Sequence, residues 1–324
     1  MRIFFVEWNA EHGKLMIDNL SSQYDTVKIS RVLHRYKTIQ KYIHFSFLKK
    51  LHTKAHAALK FKKITKNDLV ICTGYSALAI IDIVATIPCK KIIIVRDTIE
   101  KLNYHMRKKG LLTQHESYLG KIRTVFNNVY SFDQLDCINH NMKFLPQFIS
   151  FTSQQFLSYL PCNMENHSKE CFYVGGYDTY RADTLNKIHS IISKLYYNTD
   201  FYLVTKNNAE KYPTCCKNVS LSYQENLEKI KNCEILVEIN RLGQAGLTLR
   251  ALEALFFNKK LITTNVEIKK CDFYSPDRIF IWDVDSIDNL ATFMNQTLAP
   301  IDAKLMKSYT ADTMIEKLIN DNSI

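Results

Sequence analysis

The chain has 324 residues, 46% of them hydrophobic, which is enough to bury a substantial core and long enough to favour two domains over one. No apolar run reaches the roughly 18 residues of a membrane-spanning helix, since the best candidate, 78–88, is short and contains Asp82. Residues 28–66 hold twelve Lys or Arg and no Asp or Glu, so this segment carries +12 while the whole chain carries +11, and the basicity is local.

Nine cysteines, an odd number, are scattered without any C-x-x-C pair, which suits reduced structural thiols rather than a secreted disulfide frame or a zinc site. Neither G-x-G-x-x-G nor G-K-[ST] occurs, which disfavours dinucleotide-dependent and P-loop enzymes. The N-terminus passes from Met1 directly into a strand-like pattern with an acid at Glu7, unlike a signal peptide, so a cytoplasmic protein is expected.

Residues 1–6 read as a first buried strand, and 7–13 as a polar loop before an amphipathic helix. Ligands of open parallel sheets sit beyond the carboxyl ends of the strands, which makes Glu7, Glu11 and His12 candidate bases; a helix start with solvated acids is the alternative. Residues 36–60 predict a long helix with Ile39, Ile43, Leu48, Leu51, Ala55 and Leu59 along one side, and with Tyr36, Tyr42, Phe45 and Phe47 added. Such a basic amphipathic segment suits an anionic membrane surface, and equally a domain helix whose apolar stripe packs on the sheet while its lysines face water.

Strands follow at 68–75 and 91–95, separated by a helix, and Asp97 stands at the carboxyl edge of the second as a site candidate or as a helix cap. Near-continuous apolar runs alternating with helices indicate parallel sheets covered on both faces. Runs at 124–132 and 143–148 read as the last strands of a first domain, 1–150, before a linker at 151–170. A second domain, 171–324, opens on a strand closed by Gly175 and Gly176. Strands at 201–204, 219–221 and 279–282, helices at 181–195 and 223–231, and two final helices at 286–298 and 303–319 complete the alternation.

The centre of the second domain is 234–264, which reads as strand, polar loop, helix, turn and second strand, a crossover unit between parallel strands. Its loop holds Asn240, Arg241, Gly243, Gln244 and Gly246 in a chain with only eight glycines. Glycine lets backbone approach a ligand closely, and the helix start beyond it offers N–H groups and a positive dipole end to phosphate. Leu247, Ala251, Ala254 and Leu255 form an apolar helix face, while Gly246, Arg250 and Glu253 fall on another at i, i+4, i+7. That second face reads as a nucleotide contact, or as a solvated Arg250/Glu253 pair on a core crossover helix.

The segment from Gln244 to Asn265 resembles the nucleotide-sugar segment of bacterial GT-B glycosyltransferases that build lipopolysaccharide core or capsule. The resemblance implies an α/β protein of two Rossmann-like domains facing a cleft, an N-terminal acceptor side, a C-terminal nucleotide-sugar side, and a last helix crossing back. It implies a nucleoside diphosphate sugar donor met by Arg181, Lys206, Asn240, Arg241, Gln244, Gly246, Leu247, Thr248, Arg250 and Glu253. Glu11, His12 and Asp97 are then the candidates for the base that takes the acceptor hydroxyl proton. Many retaining members carry two glutamates eight positions apart, and counting back from Glu253 gives Ala245, so that signature is absent.

The implied acceptor is a lipid-linked saccharide, with rhamnose a first choice of sugar, and the implied location is peripheral, on the inner face of the plasma membrane through 28–66. No cofactor, metal or nucleic acid is expected. Asp283-Val-Asp285 is a D-x-D by letter but stands where Asp285 would cap a following helix. The competing class is a nucleic-acid-binding protein or RNA-modifying enzyme, since +12 in 28–66 is also a phosphate-backbone footprint; no helix-turn-helix, RRM or KH signature accompanies it.

Overall fold

The computed structural model describes residues 1–30, 32–40, 42–159, 168–205, 212–240 and 246–322. The chain divides into two compact units, Met1–Pro146 with Met314–Ile324, and Gln147–Thr313. Each is built on one six-stranded sheet whose strand pairs are all parallel.

In the first unit the strands are β1 (Ile3–Val6), β2 (Thr26–Ile29), β3 (Leu69–Thr73), β4 (Lys90–Val95), β5 (Asn128–Ser131) and β6 (Lys143–Phe144), in the order β2-β1-β3-β4-β5-β6. All four residues of β1 are buried, as are four of five in β3 and four of six in β4, which is why 3–6, 69–72 and 92–95 read as unbroken apolar runs. The order reverses between β1 and β3, so the crevice outside their carboxyl ends is the natural ligand position of this sheet.

The single long helix expected over 36–60 is two helices, Val32–Gln40 and Ser46–Phe61. They lie side by side: the Tyr36 ring stacks on His52 at 5.5 Å and its hydroxyl meets Thr53 Oγ1 at 2.9 Å, so the chain has to turn between them. The strand expected at 124–132 is confined to β5, because the helix Tyr118–Ile122 continues as turns into Phe126. Pro146 has no N–H to donate, and β6 holds two residues where 143–148 was expected.

In the second unit the strands are β7 (Ser168–Gly176), β8 (Asn198–Val204), β9 (Cys216–Lys217), β10 (Cys233–Glu238), β11 (Lys260–Thr263) and β12 (Ile279–Ile281), in the order β12-β11-β10-β7-β8-β9. Here the order reverses between β10 and β7. The strand expected at 219–221 is instead the short β9. Residues 153–159, placed in a linker by the sequence, form the helix Ser153–Tyr159 of this unit. Phe156 is buried, and Phe151, Phe156 and Tyr159 pack on Phe256 and Phe257, with Phe151 stacked on Phe256 at 4.6 Å.

Near the end, 286–298 is a 3₁₀ turn (Ile287–Asn289) and a short helix (Leu290–Asn295). The last stretch is likewise two helices, Ala303–Lys307 and Ala311–Asp321. The final helix begins in the second unit and ends in the first, where Asn322 donates to the Tyr130 hydroxyl at 3.0 Å.

Candidate functional site

In the second unit, the carboxyl edge is organised by a buried acid. Glu238, the last residue of β10, is 3% exposed and accepts hydrogen bonds from the hydroxyls of Thr248 and Thr263. Burial pushes its carboxyl up, against the hydroxyl contacts that favour the charged form. Thr248 also caps the crossover helix Leu249–Phe256, accepting from the Arg250 backbone N–H at 3.0 Å. Its hydroxyl is therefore spent inside the protein, fixing the start of that helix over the sheet edge. The helix start supplies the N–H groups and the dipole end that suit a phosphate.

Arg181 stands at the same edge. Asp178 caps the helix Thr179–Ile192 by accepting from the Arg181 N–H at 2.9 Å, which sets where the side chain emerges. Its guanidinium then donates to the carbonyls of Ile239 at 3.1 Å and Gly176 at 3.0 Å, spanning the ends of the adjacent strands β10 and β7. Two of the five N–H donors of the fork are used in this way. The two glycines that close β7 differ: a Cβ on Gly175 would meet the Tyr173 hydroxyl at 2.4 Å, whereas one on Gly176 would meet nothing within 4 Å. Packing requires the first glycine, and open space adjoins the second.

Asn240 is buried, and its N–H donates to Thr264 Oγ1 at 3.0 Å, while Thr264 N–H reaches the Glu238 carbonyl at 3.2 Å. Two residues after β11, Asn265 is 3% exposed; its Oδ1 accepts from Glu267, and its Nδ2 has no partner among the described residues. Gly246 and Leu247 are partly exposed just before the crossover helix. Lys206, Arg241 and Gln244 lie outside the described residues.

Arg250 and Glu253 are not on an open polar face. Residues 251–256 of the crossover helix are all buried, and the pair points into the protein: Arg250 Nη1 is 2.8 Å from Glu253 Oε2, with side chains 13% and 2% exposed. Arg250 also donates to Asn226 Oδ1 at 2.9 Å and lies over the Phe172 ring at 5.4 Å. Burial raises the Glu253 carboxyl, opposed by Arg250. A helix covered on all sides has no solvated face, so these two side chains brace it against the helix Tyr223–Asn232 and β7.

In the first unit, the residues after β1 and β4 meet. Glu7, at φ 59°, is 5% exposed, and its carboxylate accepts from Val32 N–H and Asn9 Nδ2, each at 2.6 Å. Trp8 Nε1 donates to the Ile71 carbonyl at 3.1 Å, which seats the helix Glu11–Leu20 at this edge. His12 Nε2 is 3.1 Å from Arg96 Nη1. Burial and then the Arg96 charge lower the His12 pKa to about 4, so at neutral pH the ring is uncharged.

Asp97 faces its own helix, paired with Lys101, and Glu11 is exposed in the first turn of its helix. Gly74 closes β3 where Tyr118 donates to its carbonyl at 2.6 Å; a Cβ there would meet Val95 Cα at 3.2 Å. Arg96, Glu238, Thr263 and Asn265 were not singled out from sequence. The available signal was positional, a polar residue at or just after the end of a buried strand.

Among the described residues no group of His, Cys, Asp or Glu is arranged to hold a metal ion. Asp285 does not cap a helix as expected: its carboxylate accepts from Ile281 N–H at 2.6 Å across a turn in which Asp283 has φ 62°, and Ser286 takes the cap position.

No protein-family model and no curated protein sequence matches the chain. Among solved structures it is similar to an α-glucosyltransferase in complex with UDP and a 13-mer DNA, at 10% identity, covering 100% of both chains with a TM-score of 0.62. It is similar to a UDP-forming α,α-trehalose-phosphate synthase from Burkholderia xenovorans in complex with glucose-6-phosphate, at 9% identity over 99% of each chain, TM-score 0.57. It is also similar to Anabaena HepE in complex with UDP, at 9% identity over 100% of each chain, TM-score 0.53. The likeness is one of fold: two parallel six-stranded sheets with flanking helices, the two-Rossmann-domain architecture of GT-B glycosyltransferases.

Proposed function

We propose that the protein is a glycosyltransferase that moves a sugar from a nucleoside diphosphate sugar to a lipid-linked saccharide, of the lipopolysaccharide-core class. It would sit peripherally on the inner face of the plasma membrane, on an anionic surface met through 28–66. The observation that carries the transferase reading is the carboxyl edge of the second sheet. There the Arg181 guanidinium, the capped start of the crossover helix and the open space beside Gly176 adjoin one strand-order reversal. A cation, helix N–H groups and room for backbone approach are what a diphosphate requires. That neighbours of the same fold were solved with UDP supports a uridine diphosphate sugar as the first donor to test.

In this reading the bond from the sugar's anomeric carbon to the diphosphate oxygen breaks, and one to the acceptor oxygen forms. The acceptor proton passes to a base, and the charge that develops on the leaving diphosphate is met by Arg181, the helix start and, from residues 241–245, Arg241 and Gln244, with Lys206 as a further cation. Asn240, Gly246 and Leu247 line the donor position. Thr248, Arg250 and Glu253 hold the helix that presents it.

Glu11, His12 and Asp97 are the candidate bases; the His12 ring is uncharged at neutral pH, with its Nε2 accepting from Arg96. A panel of nucleoside diphosphate sugars, rhamnose donors included, tests the reading through thermal stabilisation and release of the nucleoside diphosphate. If no member of the panel stabilises the protein or is turned over, the transferase reading is wrong. Substituting Glu11→Gln, His12→Asn and Asp97→Asn one at a time identifies the base as the residue whose loss lowers kcat by roughly 10²–10⁴ while donor binding persists.

A further inference from the structure

The helix Ser46–Phe61 carries apolar residues on two sides, and the fold uses one of them. The inner side is His56, Ala57 and Phe61, all buried. The other side is Phe47, Leu48, Leu51, Ala55, Ala58 and Leu59, all exposed, with Phe47 at 70% and Leu59 at 75%. Of the two readings of the stripe through Leu48, Leu51, Ala55 and Leu59, its exposure speaks against packing on the sheet. At about 100° per residue these six side chains fall within an arc of about 120°, so they form one stripe along a helix about 24 Å long.

Tyr42 and Phe45, 79% and 72% exposed, continue the apolar surface beyond the helix start. Exposed Lys50 and Lys54 flank it, and exposed Lys62 and Lys63 follow its end. Single exposed hydrophobics are ordinary, whereas a continuous stripe marks an interaction surface.

We infer that this stripe is an interfacial docking helix that lies in the headgroup plane of an anionic bilayer, which deepens the membrane-held-acceptor reading and rests on it. The charge of the surrounding segment, twelve Lys or Arg and no acid in 28–66, complements anionic headgroups. The apolar stripe enters the acyl boundary, as amphipathic helices of this pattern do. No helix among the described residues is long and apolar enough to cross a membrane, so attachment by this element is in-plane. A nucleic acid is the poorer occupant, because a phosphate backbone rewards lysines and bases reward flat rings, while Leu48, Leu51 and Leu59 offer neither.

The test is co-sedimentation of the full chain with vesicles of phosphatidylcholine alone or with added phosphatidylglycerol, at low and high salt, with duplex DNA as competitor. Wild type should sediment with the anionic vesicles. Phe47→Ser/Leu51→Ser/Leu59→Ser should lower that partition by roughly tenfold or more at either salt, since the lost term is apolar burial. Lys50→Gln/Lys54→Gln/Lys62→Gln should lower it at low salt, with the difference shrinking as salt rises. The substituted side chains are exposed, so the melting temperature should stay that of wild type.

The inference is overturned if wild type ignores anionic vesicles at low salt, if the apolar variant sediments like wild type, or if DNA rather than lipid retains the protein. It is equally overturned if the stripe closes a dimer that the apolar variant dissociates. Stabilisation by nucleoside diphosphate sugars is read separately: vesicle binding without it leaves the helix assignment standing and sinks the transferase reading, and the converse does the reverse.

Discussion

Arg250→Met tests how the crossover helix is held. Removing the guanidinium leaves the Glu253 carboxylate, 2% exposed, without its cation at 2.8 Å. It also leaves Asn226 Oδ1 without its donor, and the Phe172 ring without the charge 5.4 Å from its centroid. Breaking a buried pair by deleting one partner costs about 3–5 kcal/mol, a large share of the roughly 5–15 kcal/mol that holds a domain folded. Burial already raises the Glu253 carboxyl and Arg250 opposes that, so in the variant the carboxyl rises further.

A carboxyl raised in the folded state contributes stability that is fully present below its unfolded value of about 4.3 and is lost as pH rises through the folded value. The deficit of Arg250→Met should therefore be larger at pH 8 than at pH 5, where Glu253 can take a proton. Arg250→Met/Glu253→Leu removes both charges and should recover most of the loss. Of the two tryptophans, Trp282 lies in the second unit and Trp8 in the first, so urea unfolding followed by fluorescence in a Trp8→Phe background reports the unit concerned. A single variant within about 0.5 kcal/mol of its parent at both pH values, or a double variant no better than the single, would refute the account of the pair.

Three further outcomes are expected. Arg181→Lys replaces a fork that spans two carbonyls by a point charge and should weaken nucleoside diphosphate binding by about tenfold, or about 1.4 kcal/mol; an unchanged titration removes Arg181 from the site. The His12 ring should titrate near 4 by NMR, and Arg96→Met should move it up towards the ordinary value of about 6.5. Because that pKa is lowered in the folded state, the stability it contributes is present above about pH 6.5 and falls as pH drops towards 4, and a wild-type midpoint at or above the ordinary value contradicts the burial argument. Turnover should persist in excess EDTA; activity lost on chelation and restored by Mg²⁺ or Mn²⁺ would return Asp283 and Asp285 to the reaction.

The parallel sheets were legible because strands buried on both faces leave an unmistakable trace. Ile3–Val6, 69–72 and 235–237 are short apolar runs that only a covered sheet tolerates. The helix breaks were not. Nothing in the letters 36–60 interrupts a helical period, and what divides that stretch is the stacking of Tyr36 on His52, a contact between residues 16 positions apart. β2, an edge strand with one exposed and three half-buried residues, carries too weak an apolar signal to be read at all.

The same distinction governs the sites. Sequence spacing located the helix whose start adjoins the second sheet's edge, because glycine and apolar period lie within one short segment. It misjudged what that helix does with its polar residues, since a helical wheel gives direction relative to the helix axis and says nothing of what packs there. Arg250 and Glu253 are polar letters on a face covered by Tyr223–Asn232 and Phe172, and Leu51 and Leu59 are apolar letters on a face left exposed among the described residues. Both inversions cost free energy relative to the simple pattern. A buried ion pair carries a desolvation penalty that apolar side chains would avoid, and an exposed apolar stripe forgoes roughly 25 cal/mol for each Å² left in water. The first cost is offset by fixing the position of a helix start that, in the proposed function, meets the diphosphate. The second has no return inside the fold, and that is the physical reason to look for its partner outside the chain.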